Sequence, residues 1–546
     1  MKISVKTISK LFPVFAFLFS ASAFFTACGG GGKEKPPLNY GGTFNVNLTG
    51  SVETLDPNEI NYDSDLFATL PIYEGLVKAG ENFDEPEPFL ATSWEKLNDG
   101  RKFVFHLRKD VKFHADPCFE NENDRKFSSY DALFTFERIA EHNSPGINYS
   151  LFSEMIVGMP QFHAGKTKTI EGIKIIDSLT IEFNLTKPYV TFLKLLASSS
   201  AYMLSQKAIG YYGEEFDKHP IGTGPFKLSI WNPIKELFFI KNNDYWRHDK
   251  AGNKLPFLDA VSIKILSSPG FGITDFLKGE CDFVKLDRKN YQTAVKAVNT
   301  AKFRVEKTHR NFNVRFYGFS FDKKTPLTED KNLRRAIAYS FNRRKIFNSP
   351  SFPFSPAQTL VPLSLLGNTK VEWYSYDLLK GKTVADKINT DDVKYLFFSS
   401  VNAPSVGILE KGMKSLGLKV KTKVQPKGYY RFILEKRPDI FRVSMMPSFP
   451  DPTEYYSMFY SKSSKFTNLF AYSNNEFDII YEQSLIEQNK RKRQNHFLRL
   501  EKILRDDAAA LYVSEADEMY NFISLRVENF KTRNSFPDFS VIRLKK

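Results

Sequence analysis

The chain has 546 residues, 42% hydrophobic and 25% charged, with 77 Lys and Arg against 62 Asp and Glu for a formal net charge of +15. That length supports two or three domains around a large core, and the composition is that of a folded soluble protein, which excludes fibrous and disordered classes. The basic balance invites a nucleic-acid reading, but the charge is diffuse: Lys419, Lys421 and Lys423 alternate with Leu418, Val420 and Val424 as the wet face of a strand, and no nucleic-acid-binding module is recognisable. The 52 Phe suggest an aromatic-rich core or cleft, with codon bias as the alternative.

Lys2, Lys6 and Lys10 precede an apolar run from Leu11 to Phe25 that is too short to span a bilayer, so residues 1–27 are expected to be an export signal. Ala21-Ser22-Ala23 would suit ordinary signal peptidase, whereas Phe25-Thr26-Ala27-Cys28 resembles a lipobox with Phe in place of Leu. The second pattern makes Cys28 an acylated anchor, each buried CH2 contributing about 0.8 kcal/mol, and makes 28–39, with Gly29 to Gly32, a flexible tether. Removing three leader lysines lowers the net charge from +15 to +12. Cys118 and Cys281 are the other cysteines; an oxidising compartment allows a disulfide between them, but separation in sequence does not show proximity in space. His114 and Cys118 have a spacing compatible with metal ligation, yet nothing completes the set, so no metal or cofactor is expected.

Along the chain, Gly42 to Asn47 alternates as an opening strand. Lys102 to His114 predicts a hairpin whose first arm is Phe103, Phe105 and Leu107 and whose second holds Val111 and Phe113. A polar loop, Ala115 to Lys126, has no assignable role; Ser128 then caps a helix to Ile139. Ile170 to Leu185 holds two short β-type runs, and Phe192 to Leu196 begins an apolar helix. In Pro220 to Trp246, Gly222 and Gly224 predict a tight turn into a strand carrying Phe226, Leu228 and Ile230, with a second strand from Leu237 to Lys241. Asp330 caps a helix with Leu333, Ala336, Ile337 and Phe341 on one face, which reads as core packing. Strands at Val393 to Phe398 and Leu418 to Val424 flank a helix from Ser405 to Leu416 stopped by Gly417, and Tyr429 to Leu434 and Phe441 to Met446 add a helix and a strand. That order predicts an α/β domain with a substantially parallel sheet.

Several of these segments carry a resemblance. Pro220-Ile221-Gly222-Thr223-Gly224-Pro225-Phe226, Asn242 to Trp246, Glu53 to Pro57, Tyr73-Glu74-Gly75-Leu76-Val77, Leu90 to Glu95, Gly279 to Asp282, Leu333 to Ala336, Phe449-Pro450-Asp451-Pro452 and Asn468 to Asp478 are similar to the ordered motifs of the family 5 extracellular solute-binding proteins, the peptide- and nickel-type receptors of ABC importers. The resemblance covers nearly all of the chain after the leader. It implies an α/β, two-lobed fold of the type II periplasmic-binding-protein kind with a small extra domain inserted in the first lobe. The expected division is 40–72, 181–307 and 520–546 for lobe I, 73–180 for the extra domain and 308–519 for lobe II.

The same resemblance implies a monomer that closes on a peptide or peptide-like solute and docks on permease subunits, held at the membrane by its lipid anchor and lacking catalytic residues. The family's carboxylate for a free α-amine falls at Ser448 here, which puts an ordinary peptide N-terminus in doubt, and Met445 stands where Trp is common. Arg442 could meet a carboxylate or phosphate, or make a structural salt bridge. Asn61 and Asp63 fall where cleft residues are expected, with Asp63 a candidate to replace the missing carboxylate or simply an exposed loop acid; Tyr429 could line the cleft or pack in the core. No Gly-x-Ser-x-Gly elbow, His-Glu-x-x-His pair or phosphate-binding loop recommends an enzyme. A lipid-anchored sensor using the same cleft without import, and binding of a non-peptide solute, remain the alternatives.

Overall fold

The computed structural model describes residues 40–546 except 61, 81–84, 143–146, 267–268, 298–302, 309–311, 348–353, 367–372, 389–393, 426–427, 517–518, 534–535 and 546. The leader, Cys28 and Asn61 lie outside the described residues.

Two large sheets divide the unit Tyr40–Lys546. The first, of seven strands, runs in the order Phe303–Thr308, Met519–Ser524, Phe283–Asp287, Thr43–Thr49, Ala260–Leu266, Glu236–Lys241, Phe226–Asn232. Thr43–Thr49 pairs parallel to both of its neighbours and the remaining pairings are antiparallel. The second, of six strands, runs Phe354–Pro356, Ala510–Ala516, Val314–Phe319, Ile440–Met445, Lys394–Ser399, Lys419–Val424. Only the two pairings made by Lys394–Ser399 are parallel; three others are antiparallel, so the expectation of a substantially parallel sheet is corrected to a mixed one. The helix-linked unit read from the sequence supplies the parallel half. Val314–Phe319, Phe354–Pro356 and Ala510–Ala516 supply the antiparallel half, and nothing local in their sequence announces their direction.

Each sheet has its own hydrophobic core. The chain passes between them twice, from Phe303–Thr308 to Val314–Phe319 and from Ala510–Ala516 back to Met519–Ser524. Two lobes joined by two strand-to-strand crossings can rotate about those crossings while each core stays packed.

A third sheet, of four strands in the order Ala91–Leu97, Lys102–Leu107, Thr180–Asn184, Ile173–Asp177, is backed by the helix Ser129–Ile139. Ser128 and Asp131 form a reciprocal cap on that helix. The sheet's buried side chains, among them Phe103, Phe105 and Phe183, belong with Phe136 of the helix to the same apolar cluster as the first sheet's Phe44 and Val46. The last of the four strands in sequence, Thr180–Asn184, pairs antiparallel with both Lys102–Leu107 and Ile173–Asp177. The predicted second arm of the hairpin after Leu107 is not a strand: Val111 and Phe113 are buried, but Lys112 makes only an isolated bridge with Lys126. The loop between is held by Arg125, which donates to the Phe113 carbonyl (3.1 Å), Glu122 (2.6 Å) and Asp244 (2.7 Å).

The glycines of the Pro220 to Trp246 segment serve close approach rather than a turn. A Cβ on Gly222 or Gly224 would run into the backbone of Ile72, and on Gly224 also that of Pro71, and the Gly224 amide donates to the Ile72 carbonyl at 2.8 Å. Beside them the buried carboxylate of Glu74 accepts hydrogen bonds from Thr223 Oγ1 (3.0 Å), Tyr245 OH (2.7 Å) and Trp246 Nε1 (2.9 Å). Three of the motifs that carry the family resemblance therefore hold one another. Cys118 and Cys281 are both buried free thiols.

Candidate functional site

The carboxyl ends of the three parallel strands, residues 47–49, 266 and 284–286, border a cavity of about 240 Å3. In α/β sheets the crevice outside the carboxyl ends of parallel strands is where ligands commonly sit. The helix Asp63–Thr69 adds Asp63 and Phe67, and the far wall comes from the other lobe, as Phe312 and the segment Met446 to Pro450. Both lobes thus build one cavity, whose other lining residues include Phe283, Leu286 and Phe536.

The segment from Met446 to Pro450 is fixed from behind. Glu454, buried at the start of the helix Pro452–Tyr456, accepts from the Ser448 amide (2.8 Å) and the Phe449 amide (3.2 Å). Burial pushes its carboxyl up to about 7, although these donors favour the charged form. Asp451 caps the same helix and is gripped by Arg493 (2.7 and 2.8 Å), with Lys194 of the first lobe at 3.7 Å. Despite its burial, these cations hold Asp451 below its usual value. Phe449 itself packs into the first lobe's core. Further cross-lobe contacts run from Lys187 to Glu482 (3.3 Å), from the Val190 amide to the Leu485 carbonyl (3.1 Å) and from Thr467 to Ser150 (2.7 Å).

Of the residues singled out from the sequence, Asp63 and Ser448 line the cavity. Asp63 keeps contact with solvent yet is hemmed in by the walls: burial raises its carboxyl, and the charges of Lys285 and Arg315 pull it back. Arg442 is only 9% exposed, makes no salt bridge among the described residues, and its Nε meets no hydrogen-bond partner there. The register Tyr317↔Arg442 and Arg315↔Ser444 puts the two arginines on one face of the second sheet. Arg315 is brought down to about 10, by burial first and then by the charge of Arg442, with Asp63 opposing.

Tyr429 is buried with its hydroxyl donating to the Arg442 carbonyl (2.7 Å) and the Phe398 carbonyl (3.3 Å), so it props the wall. Its neighbour Tyr430, 41% exposed, lies within the electrostatic reach of Arg442 and Tyr62. Met445 packs partly against the second core, while Met446 lines the cavity. Sequence reasoning missed Lys285, Arg315, Tyr430 and Glu454. The position of Lys285 as a lysine between the apolar Val284 and Leu286, in the middle of the strand Phe283–Asp287, is the one signal available for it. Burial lowers Lys285 to about 8. Among the described residues no group of three or more His, Cys, Asp or Glu could hold a metal, and no helix is long and apolar enough to cross a membrane.

The family profile described as "Bacterial extracellular solute-binding proteins, family 5 Middle" matches residues 85–467, more than half of the chain. The chain belongs to that family. Its members bind solutes for transport and are not enzymes. The chain is 28% identical over 356 residues to the dipeptide-binding protein of Escherichia coli strain K12, an alignment spanning 61% of each chain, which is less than two thirds of that relative. Among solved structures it is similar to the ABC transporter-associated periplasmic binding protein DppA of Helicobacter pylori in complex with the peptide STSA, with TM-score 0.77, 23% identity and coverage of 93% of this chain and 99% of that one. It is also similar to the binding protein AgaA of A. tumefaciens R10 in complex with agropinic acid, with TM-score 0.76, 19% identity and coverage of 92% and 99%. At these identities the likeness to the two structures is one of fold, and it makes this family 5 chain a mixed α/β protein of two lobes.

Proposed function

We propose that this family 5 protein captures a peptide or peptide-like solute between its lobes and delivers it to the permease of an ABC importer, working as a monomer outside the cytoplasm with acylated Cys28 as its membrane anchor. The observation that carries the reading is the cavity of about 240 Å3 at the carboxyl ends of the parallel strands, walled by both lobes, so that a bound solute bridges them. The peptide-binding names of its relatives support the solute class. In this reading 40–72, 181–307 and 520–546 form lobe I, 73–180 the extra domain and 308–519 lobe II. Asn61, Asp63, Arg442 and Ser448 supply the polar contacts, with Met445 as an adaptable wall and Tyr429 behind Arg442.

Capture of a non-peptide solute is the second reading. It is favoured by the agropinic acid found in one structure of the same fold. Native mass spectrometry of the purified protein, followed by denaturation to release what co-purifies, separates them. Short peptides or capped peptides support capture for peptide import, whereas a single non-peptide species supports the second reading and removes the first.

A further inference from the structure

The wall of the cavity between the lobes is mostly apolar. Five phenylalanines border it, Phe67, Phe283 and Phe536 on the first lobe and Phe312 and Phe449 on the far side. Phe67 and Phe536 meet edge to face with ring centroids 5.9 Å apart, so each fixes the other's place on the wall. The charged side chains on the lining, among the described residues, are Asp63 and Lys285; they are opposite in sign and each lies in the other's field. A charged group entering beside that pair would give up its water among phenyl rings and meet a like charge along with an opposite one. An apolar group pays no such cost and removes its own surface from water. A dry cavity of ~150 Å3 already admits benzene, so about 240 Å3 has room for an aromatic ring or a branched aliphatic side chain.

The depth of the cavity depends on a missing side chain. Gly272 is on the lining, inside the helix Pro269–Lys278, where glycine is disfavoured relative to alanine. A Cβ there would meet Val284 Cγ2 at 3.2 Å, Leu266 Cδ1 at 3.4 Å and Asn47 Cβ at 3.9 Å, and all three residues border the same cavity. A larger side chain at 272 would therefore grow among the residues that now bound open space.

Resting on the capture reading above, we propose that this cavity is a side-chain pocket, that the solutes it selects are peptides carrying an aromatic or large aliphatic side chain, and that Gly272 sets how large a side chain enters. Covering a phenyl side chain completely, rather than leaving it wet, corresponds to roughly ten- to hundredfold in affinity. The rings of both lobes touch the inserted group, so the same side chain that selects the ligand also joins the lobes.

Isothermal titration of the purified protein with alanyl-alanine, phenylalanyl-alanine, alanyl-phenylalanine and the dipeptides in which lysine or glutamate replaces that phenylalanine tests this. One of the two phenylalanine dipeptides is expected to bind about tenfold or more tightly than alanyl-alanine and than its own lysine and glutamate counterparts. Gly272→Leu is expected to shrink that advantage to below about threefold. Gly272→Ala, whose Cβ asks its neighbours to give only a few tenths of an ångström, should shrink it less. The quantity read is a ratio between two ligands, which a general loss of stability leaves unchanged. An advantage below about tenfold for both phenylalanine dipeptides, a lysine or glutamate counterpart bound as tightly, or an advantage undiminished in both Gly272 variants overturns the inference and leaves peptide capture standing. If no member of the series binds, the peptide reading falls and the inference with it.

Discussion

Ser448 and Glu454 are in contact in the segment that closes the cleft, and the pair makes a titration visible. Glu454 has its carboxyl raised to about 7 by burial, so the folded protein holds this proton more tightly than the unfolded chain does. Its contribution is therefore most favourable below about pH 4.5 and is lost as pH rises through 7, with a span on the order of 3 kcal/mol. Unfolding in urea at several pH values should show wild-type stability falling relative to Glu454→Gln between pH 4.5 and 7.5; parallel curves would refute the assignment. Arg442 makes a second prediction. Because no carboxylate answers it among the described residues, Arg442→Leu should cost little stability, within about 1 kcal/mol, while weakening ligand binding tenfold or more. Thermal melting with and without the co-purified ligand reads both effects. At this scale Asp63 and Ser448 are legible as candidates because each lies close to a quoted motif, Glu53 to Pro57 and Phe449 to Pro452 respectively, and both line the cavity. Tyr429 is harder: neighbouring Tyr429 and Tyr430 are chemically alike, and only the helix phase decides which hydroxyl is spent on the backbone.

Among the elements, those that cap themselves are legible. Ser128 and Asp330 sit where local hydrogen bonding to the first helical amides sets the boundary, and both helices begin there. The strand expected at Val111 to Phe113 is absent because alternation reports burial, and burial of these residues comes from packing under a loop rather than from a ladder. At Gly222 and Gly224 the expected turn gives way to close approach: their absent side chains admit the backbone at Pro71 to Tyr73, a long-range fact with no local trace. Gly224→Ala should accordingly destabilise the protein by about 2 kcal/mol, whereas Gly407→Ala, where a Cβ meets open space inside the helix Pro404–Ser415, should stabilise it by up to about 1 kcal/mol and serves as the control. Gly318→Ala should behave as Gly224→Ala does, because its Cβ would overlap the Phe470 ring in the second core. Urea denaturation midpoints check all three.

For the whole molecule, the two crossings and the two separate cores make closure a rigid-body event whose contacts are few and identifiable. Phe449 is the largest of them, a second-lobe side chain 7% exposed in the first lobe's core. Opening would return it to water at a cost of about 2 kcal/mol. Phe449→Ala should therefore weaken ligand binding ten- to thirtyfold and enlarge the radius of gyration in small-angle scattering, leaving the melting of each lobe nearly unchanged. The two-lobed architecture is legible because ordered motifs along the chain resemble one family. Which charges influence one another across the gap is not, since Asp63 and Arg315 are 252 positions apart and no local pattern records it.

Capture between the lobes is tested by a crystal structure of the protein with its co-purified ligand. Ligand density is expected in the cavity between Asp63, Phe67 and Ser448, with both lobes in contact with the ligand. Density confined to one lobe or lying elsewhere on the molecule, with this cavity empty, would overturn it.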